Sequence, residues 1–314
     1  MSSELNTIQR LINNVEKAIV GKRKPIELVV LALVCKGHVL LEDVPGVGKT
    51  SLVSALAKSI NGTFKRIQFT PDVLPSDITG FSMYNKKTDN FEYRSGAVMC
   101  NFLLADEINR TSPKTQSSLL EVMQEYQVTV DGVTYAVPKP FMVIATQNPI
   151  EYLGTYPLPE AQLDRFFMKV SIGYPSNDDE KNILKLHAQH NPIDSLECVA
   201  SIKEILNLQD LVPKVYTDER IYQYIISLVS AVRSHPNIEL GPSPRASIAL
   251  HRAAQAHAMF KGRDYVVPDD VLAVVKPVLS HRIILNREAK MRDVSQDEVL
   301  SKIIMEVSVP GTNY

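Results

Sequence analysis

Residues 39–52 read Val39-Leu-Leu-Glu-Asp-Val-Pro-Gly-Val-Gly-Lys-Thr-Ser-Leu52, and the order of residue types in them decides the fold. An apolar run ends in a turn holding Gly46 and Gly48. Lys49 and Thr50 follow, and then an amphipathic run without breakers (Leu52, Val53, Leu56, Ala57, Ile60). Strand, glycine loop and helix form an arrangement in which backbone N–H groups close around phosphate oxygens. Glycine lets the chain approach, and the helix N-terminus adds partial positive charge. In such a loop Lys49 reaches the β- and γ-phosphates, and the Thr50 hydroxyl can ligate Mg²⁺. The general pattern, G-x-x-x-x-G-K-[ST], would place a glycine where this chain has Asp43. The reading therefore needs support elsewhere in the chain.

Size and composition permit it. The chain has 314 residues, 45% hydrophobic and 22% charged, with a formal net charge of −1, enough for one large domain or two smaller ones. A near-neutral balance argues against an obligate nucleic-acid binder. Three cysteines (Cys35, Cys100, Cys198) lack metal-ligand spacing, and Cys35 and Cys100, in or beside apolar runs, read as buried, reduced thiols, which fits a cytoplasmic setting. The start of the chain is polar, so no signal peptide is expected, and the apolar run 28–35 is too short to span a bilayer.

On either side of the loop, apolar spacing predicts helices over about 5–20 and 26–36. Short strands are expected at 65–69, 102–107, 141–146 and 169–172, with a helix at 113–124 capped by Ser112. Two hairpins are expected, at about 81–98 (inserted into a helix) and at 127–137, the second around the turn Asp131-Gly132. After residue 175 the strands should stop, leaving helices at about 179–190, 201–208, 218–234, 245–260 and 268–280. The expected architecture is α/β: a parallel-sheet core over 1–175, then an all-helical lid over 176–314.

Asp106-Glu107 closes an apolar strand, where Asp106 can hold the Mg²⁺ shell and Glu107 can polarise the water that attacks a γ-phosphate. Asn148, in Ala145-Thr-Gln-Asn-Pro149, can orient that water, although Asn-Pro is also a common turn dipeptide. Arg165 follows Asp164, and reads either as a surface ion pair with it or as an arginine finger for a neighbouring subunit's ATP. Arg245 opens a helix, an unfavourable place for a cation unless something such as phosphate holds it.

In this order the elements resemble an AAA+ ATPase, and the surrounding words resemble its MoxR branch. They are Leu-Leu-Glu-Asp-Val-Pro-Gly-Val-Gly-Lys-Thr at 40–50, Phe-Thr-Pro-Asp-Val-Leu-Pro-Ser-Asp-Ile-Thr-Gly at 69–80, Leu-Ala-Asp-Glu-Ile-Asn-Arg-Thr at 104–111, Ala-Thr-Gln-Asn-Pro at 145–149 and Leu-Pro-Glu-Ala-Gln-Leu-Asp-Arg-Phe at 158–166. The match runs from about Val20 to the end of the chain, and the branch often carries an acid at the position of Asp43.

The resemblance implies Val20 and Gly21 against adenine, and a nucleotide loop of Pro45, Gly46, Val47, Gly48, Lys49, Thr50 and Ser51. It implies Mg²⁺ at Thr50 and Asp106, Glu107 as catalytic base, Asn148 as sensor 1, Arg165 as finger and Arg245 as sensor 2. Gln68 is similar in position to the residue that restrains the catalytic glutamate in relatives. Arg110 fits either a neighbour's nucleotide or a carboxylate of its own chain. The stretch 191–217 resembles the linker of relatives whose lid is displaced, which would let Arg245 act on a neighbour. In related ATPases such hairpins point at a ring pore or a substrate face; the aromatics Tyr84, Phe91, Tyr93 and Tyr135, if exposed, would favour contact with something, or else pack against the hairpin's own helix.

The implied activity is hydrolysis of ATP to ADP and phosphate, with Mg²⁺, at the interfaces of a homo-oligomer, a hexameric ring. The implied work is chaperone-like remodelling, assembly or cofactor insertion of protein clients, beside a separate partner with a von Willebrand factor A domain. Rival readings are a magnesium-chelatase-like motor subunit, a DNA-acting AAA+ ATPase and a slowly hydrolysing scaffold.

Overall fold

The computed structural model describes residues 2–44, 46–147, 156–189 and 191–311. Two helices open the chain, α1 (Ser2–Glu16) and α2 (Arg23–Val34). α1 buries Ile8, Leu11, Ile12 and Val15, the stripe that its period of 3.6 brings to one side. There follow β1 (Val39–Glu42), α3 (Lys49–Ser59), β2 (Phe64–Gln68) and α4 (Pro75–Thr79). Next come the hairpin of β3 (Gly80–Asn85) and β4 (Asn90–Ser95), then β5 (Phe102–Asp106) and α5 (Pro113–Glu125). The hairpin of β6 (Gln127–Val130) and β7 (Val133–Ala136) leads to β8 (Met142–Gln147), α6 (Glu160–Leu163) and β9 (Met168–Val170).

Five strands form one parallel sheet in the order β2-β5-β8-β1-β9. A parallel sheet is covered on both faces, so its strands must be apolar without alternation. β5 satisfies this with Phe102, Leu103, Leu104 and Ala105 all buried. The parallel direction also sorts the loops. Everything that follows a strand gathers at one end of the sheet, and everything that precedes one gathers at the other.

The second hairpin turns at Asp131-Gly132 with both residues at positive φ, as a two-residue turn between twisted strands requires. The first hairpin departs from expectation. It follows α4 and passes through the turn after Ser95 directly into β5, with no helix resuming after it. Tyr93 stacks on Tyr135 with ring centroids 4.1 Å apart, joining the two hairpins. At the tip, Tyr84 and Phe91 meet edge to face and remain exposed, Phe91 at 69%.

Beyond the sheet come α7 (Asn177–Gln189), α8 (Ile202–Leu211) and α9 (Glu219–Ser234), then β10 (Ile238–Leu240), α10 (Pro244–Phe260) and α11 (Pro268–Leu279). β11 (Ile284–Leu285), α12 (Arg287–Met291) and α13 (Gln296–Glu306) complete the described chain. The sequence reading gave only helices here. β10 and β11 instead form a two-stranded antiparallel pair, too short for a period-2 pattern to register. The stretch 191–217 runs back behind α3, where Val199 and Ala200 N–H donate to the Ser59 carbonyl at 2.9 and 3.1 Å. α8 then reaches α2, with Gln209 Nε2 donating to the Leu33 carbonyl at 2.8 Å. No described helix is long and apolar enough to cross a membrane.

Candidate active site

The loop after β1 holds Gly46 and Gly48 at φ 86° and 90°, the left-handed region that a side chain would resist. That geometry turns the chain into α3, whose first residue is Lys49. Lys49 Nζ donates to the Asp43 carbonyl at 2.6 Å. Burial pulls its pKa below the ordinary lysine value, while the charges of Asp43, Asp106 and Glu107 pull it back. An ammonium so placed gains from an anion that supplies what water no longer does.

Asp43, which breaks the general loop pattern, has a structural task. Its carboxylate accepts from Ser171 Oγ (2.8 Å), Ile172 N–H (2.5 Å) and Gly173 N–H (3.0 Å). The start of the loop is thereby tied to the chain leaving β9, the neighbouring strand.

The acids at the end of β5 face this loop. A cavity of about 390 Å³ is lined by Lys49, Thr50, Arg66, Asp106, Glu107 and Thr146, among others. Glu107 takes φ 56°, a strained conformation for a residue that carries a Cβ. Thr146 holds it: its Oγ1 accepts Glu107 N–H at 2.9 Å and donates to Asp106 Oδ1 at 2.6 Å. The other Asp106 oxygen accepts from Arg66 Nη2 at 2.6 Å, and Arg66 also donates to Gln68 Oε1 at 3.1 Å. Arg110 pairs within its own chain, Nη1 to Glu107 Oε2 at 2.9 Å.

The turn that carries Val20 and Gly21 reaches the same loop. Ile19 Cδ1 lies 4.0 Å from where a Cβ on Gly48 would stand. Gly21, at φ 70°, backs onto α7 so closely that a Cβ would come within 2.3 Å of the Asp179 carboxylate.

Among the described residues no cluster of three or more His, Cys, Asp or Glu could hold a metal by itself. That suits Mg²⁺, which takes one or two protein ligands and fills its octahedron with water and phosphate oxygens. Thr50 Oγ1 and the Asp106 carboxylate are the groups that would hold it. When bound, it would neutralise charge on the β- and γ-phosphate oxygens.

Arg165 and Arg245 lie elsewhere. They line a cleft of about 280 Å³ with Lys36, Tyr126, Ile248 and Arg252 among its other residues. Arg165 precedes β9, and two residues on Phe167 N–H donates to the carbonyl of His38, which precedes β1, at 2.8 Å. The cleft therefore sits at the end of the sheet where strands begin, and the phosphate loop sits where they finish. From His38 to Asp43 is roughly 16 Å along the strand, at about 3.3 Å per residue. Asp164 does not pair with Arg165. It accepts from Arg282 Nε at 2.9 Å and from Ser243 Oγ at 2.8 Å.

With the geometry in view, comparison with known proteins places the chain. The AAA family, "ATPase family associated with various cellular activities", matches residues 38–168, and the AAA lid domain matches 230–303. "Chaperone MoxR1" of Mycobacterium tuberculosis is 41% identical over all of this chain and 85% of its own length. This chain belongs to the MoxR family of AAA+ ATPases. "Uncharacterized protein YeaC" of Bacillus subtilis is 54% identical over 96% of this chain and 94% of its own length. The solved structure of a "putative ATPase" from Cytophaga hutchinsonii superposes with a TM-score of 0.92 at 42% identity, covering 98% of this chain and 96% of that one.

Of the site residues named from the MoxR words, the structure brings Gly46, Gly48, Lys49, Thr50, Ser51, Asp106 and Glu107 around one cavity. Arg165 and Arg245 share the other cleft. Pro45 and Asn148 lie outside the described residues. Sequence reasoning missed Thr146, Arg66, Ser243 and Arg282. Thr146, the one hydroxyl inside the apolar strand β8, was the clearest signal of these, since a buried hydroxyl needs a partner.

Proposed function

We propose that this chain hydrolyses MgATP at interfaces between copies of itself, assembled as a hexameric ring, and spends the cycle on remodelling protein clients. The observation that carries this reading is the separation of the two cation sets along the sheet. Lys49 serves the chain's own phosphates. Arg165 and Arg245, at the opposite end, are far from that loop, and in this reading they serve ATP that a second copy presents to them. In the reaction a water oxygen bonds to the γ-phosphorus as the bridging oxygen leaves with ADP, and the water's proton passes to Glu107. Arg165 and Arg245 would stabilise the charge that spreads over the transferring group.

The client reading draws on the exposed Tyr84–Phe91 pair at the hairpin tip and on the relative named a chaperone. A partner with a von Willebrand factor A domain and a cytoplasmic location belong to the same reading, as does a division near residue 175 into nucleotide-binding and lid halves.

The test is the steady-state ATPase rate against protein concentration for wild type and Arg165→Ala. A specific rate that rises with concentration, and collapses in Arg165→Ala while ADP still binds, supports composite sites. A concentration-independent rate untouched by the substitution, in protein shown by sedimentation to be monomeric, refutes them.

A further inference from the structure

We propose that Arg282 is a positioning residue for hydrolysis. With Asp164 and Ser243 it clasps the loop of Arg165 to the start of α10, so that Arg165 and Arg245 reach a neighbouring copy's ATP as one unit. The inference rests on the reading that these two arginines act in trans.

Arg282 lies just before β11, in the turn after α11, with its side chain 3% exposed. All five guanidinium N–H groups are spent. Nε donates to Asp164 Oδ1 at 2.9 Å, and Nη2 to the carbonyls of Asp164 (3.1 Å) and Phe166 (2.6 Å). Nη1 donates to the carbonyl of Phe167 at 3.1 Å and to that of Val278. A residue with no donor left cannot touch a nucleotide itself. Its neighbour His281 adds a bond from Nε2 to the Phe166 carbonyl at 3.0 Å, its pKa pushed well below the ordinary value by burial. The segment 164–167 is thus gripped from the lid side on its carbonyls, and Arg165 is the residue in the middle of the grip.

The second half of the clasp runs through Asp164. Its free oxygen accepts from Ser243 Oγ at 2.8 Å, and the same hydroxyl caps α10 by accepting Arg245 N–H at 3.1 Å. One carboxylate therefore connects Arg282, the cap of α10 and the residue beside Arg165. A buried ion pair is a poor adhesive compared with apolar packing of equal volume. What it supplies is a fixed geometry, since the guanidinium fork accepts one arrangement of oxygens and a lysine cannot reproduce it. If the lid shifts during the cycle, the carbonyl grip moves Arg165 and the cap moves Arg245 in step.

The experiment uses the full chain at concentrations above assembly and compares Asp164→Asn, Arg282→Lys and Ser243→Gly with wild type. Ser243→Gly cuts the link to Asp164 and gives up the cap bond to Arg245 N–H, but glycine is tolerated at an N-cap at small cost, so α10 itself should stay formed. Readouts are kcat, KM for ATP, ADP affinity and the same substitutions in an Arg165→Ala background. The expected result is a fall in kcat of about tenfold or more for Asp164→Asn and Arg282→Lys, and a smaller fall for Ser243→Gly. KM and ADP affinity should hold within about twofold, because the chain's own phosphate loop is untouched. In the Arg165→Ala background Asp164→Asn should cost clearly less than it does in wild type, since the share exerted through Arg165 is already lost and only that through Arg245 is left. Overturning results are a kcat within twofold of wild type in Asp164→Asn and Ser243→Gly, or an equal further loss in the Arg165→Ala background. If Asp164→Asn and Arg282→Lys fail to fold, Ser243→Gly decides alone by the same criteria. If Arg165→Ala itself keeps the wild-type rate, the trans reading fails first, an outcome distinct from failure of the clasp.

Discussion

Glu107 sits at φ 56° because Thr146 Oγ1 takes its N–H, so its carboxylate is placed by backbone strain rather than by rotamer choice. Glu107→Gln keeps the size and the strain and removes the proposed base. ADP affinity should stay near wild type while hydrolysis falls about 10²- to 10⁴-fold, read by nucleotide titration beside phosphate release. Asp43→Gly, which restores the general loop pattern, should by contrast destabilise the fold. Two backbone N–H groups and a hydroxyl would lose a charged acceptor, costing about 3 kcal/mol in denaturant unfolding. A third residue carries a pH dependence. His38 is buried, donating from Nε2 to the Met123 carbonyl and accepting Val143 N–H on Nδ1, and burial lowers its pKa from 6.5 to about 4. Between those values the unfolded chain binds a proton that the folded chain does not. Stability should therefore fall as pH drops from 6.5 toward 4, by about 3 kcal/mol for this group. His38→Gln should remove about one proton from the slope of unfolding free energy against pH across that window.

At the scale of elements, the strands of the five-stranded sheet, the major helices and both hairpins were legible because each has an apolar run, a period or a turn signal within its own few residues. The Ser112 cap and the Asp131-Gly132 turn are local chemistry, and the structure has both as expected. What could not be read was set by partners distant in sequence. β10 and β11 exist because Ile238 meets Leu285 across 47 positions of chain. The missing second half of the helix around the first hairpin has the same cause, since the turn after Ser95 is fixed by Ala97 and Val98 N–H bonding back to the carbonyls of Asp77 and Ile78. The contact between hairpins is likewise distant, Tyr93 upon Tyr135. Tyr135→Ala should uncouple them at a cost of about 1 kcal/mol in stability beyond lost area. Amide exchange should then quicken in β3 and β4 while the five-stranded sheet keeps its protection, a pattern that global destabilisation would not give.

At the scale of the molecule, the motifs named the site residues, but only topology shows that they fall into two groups at opposite ends of one sheet. Asp106 ends a strand and Lys49 and Glu107 come after one, whereas Arg165 precedes one, and in an all-parallel sheet that difference alone sends them apart. Arg282 was illegible for a similar reason: nothing in its own stretch of sequence announces that its five donors are spent on residues 164–167 and 278. The division predicts how two inactive variants behave together. Lys49→Ala should lose nucleotide binding at its own loop and keep its arginines. Arg165→Ala should keep the loop and lose the proposed finger. Each should be nearly inactive alone. In an equimolar mixture that exchanges subunits into a closed ring, an intact loop faces an intact arginine at about a quarter of interfaces, the product of two halves. ATPase activity should then return to a comparable share of wild type, less whatever the rings lose through cooperation between sites. Activity that stays at the level of the separate variants, with subunit exchange confirmed by fluorescence energy transfer, would mean that loop and arginine serve the same chain. The separation along the sheet would then have to be closed by movement of the lid, not by a neighbour.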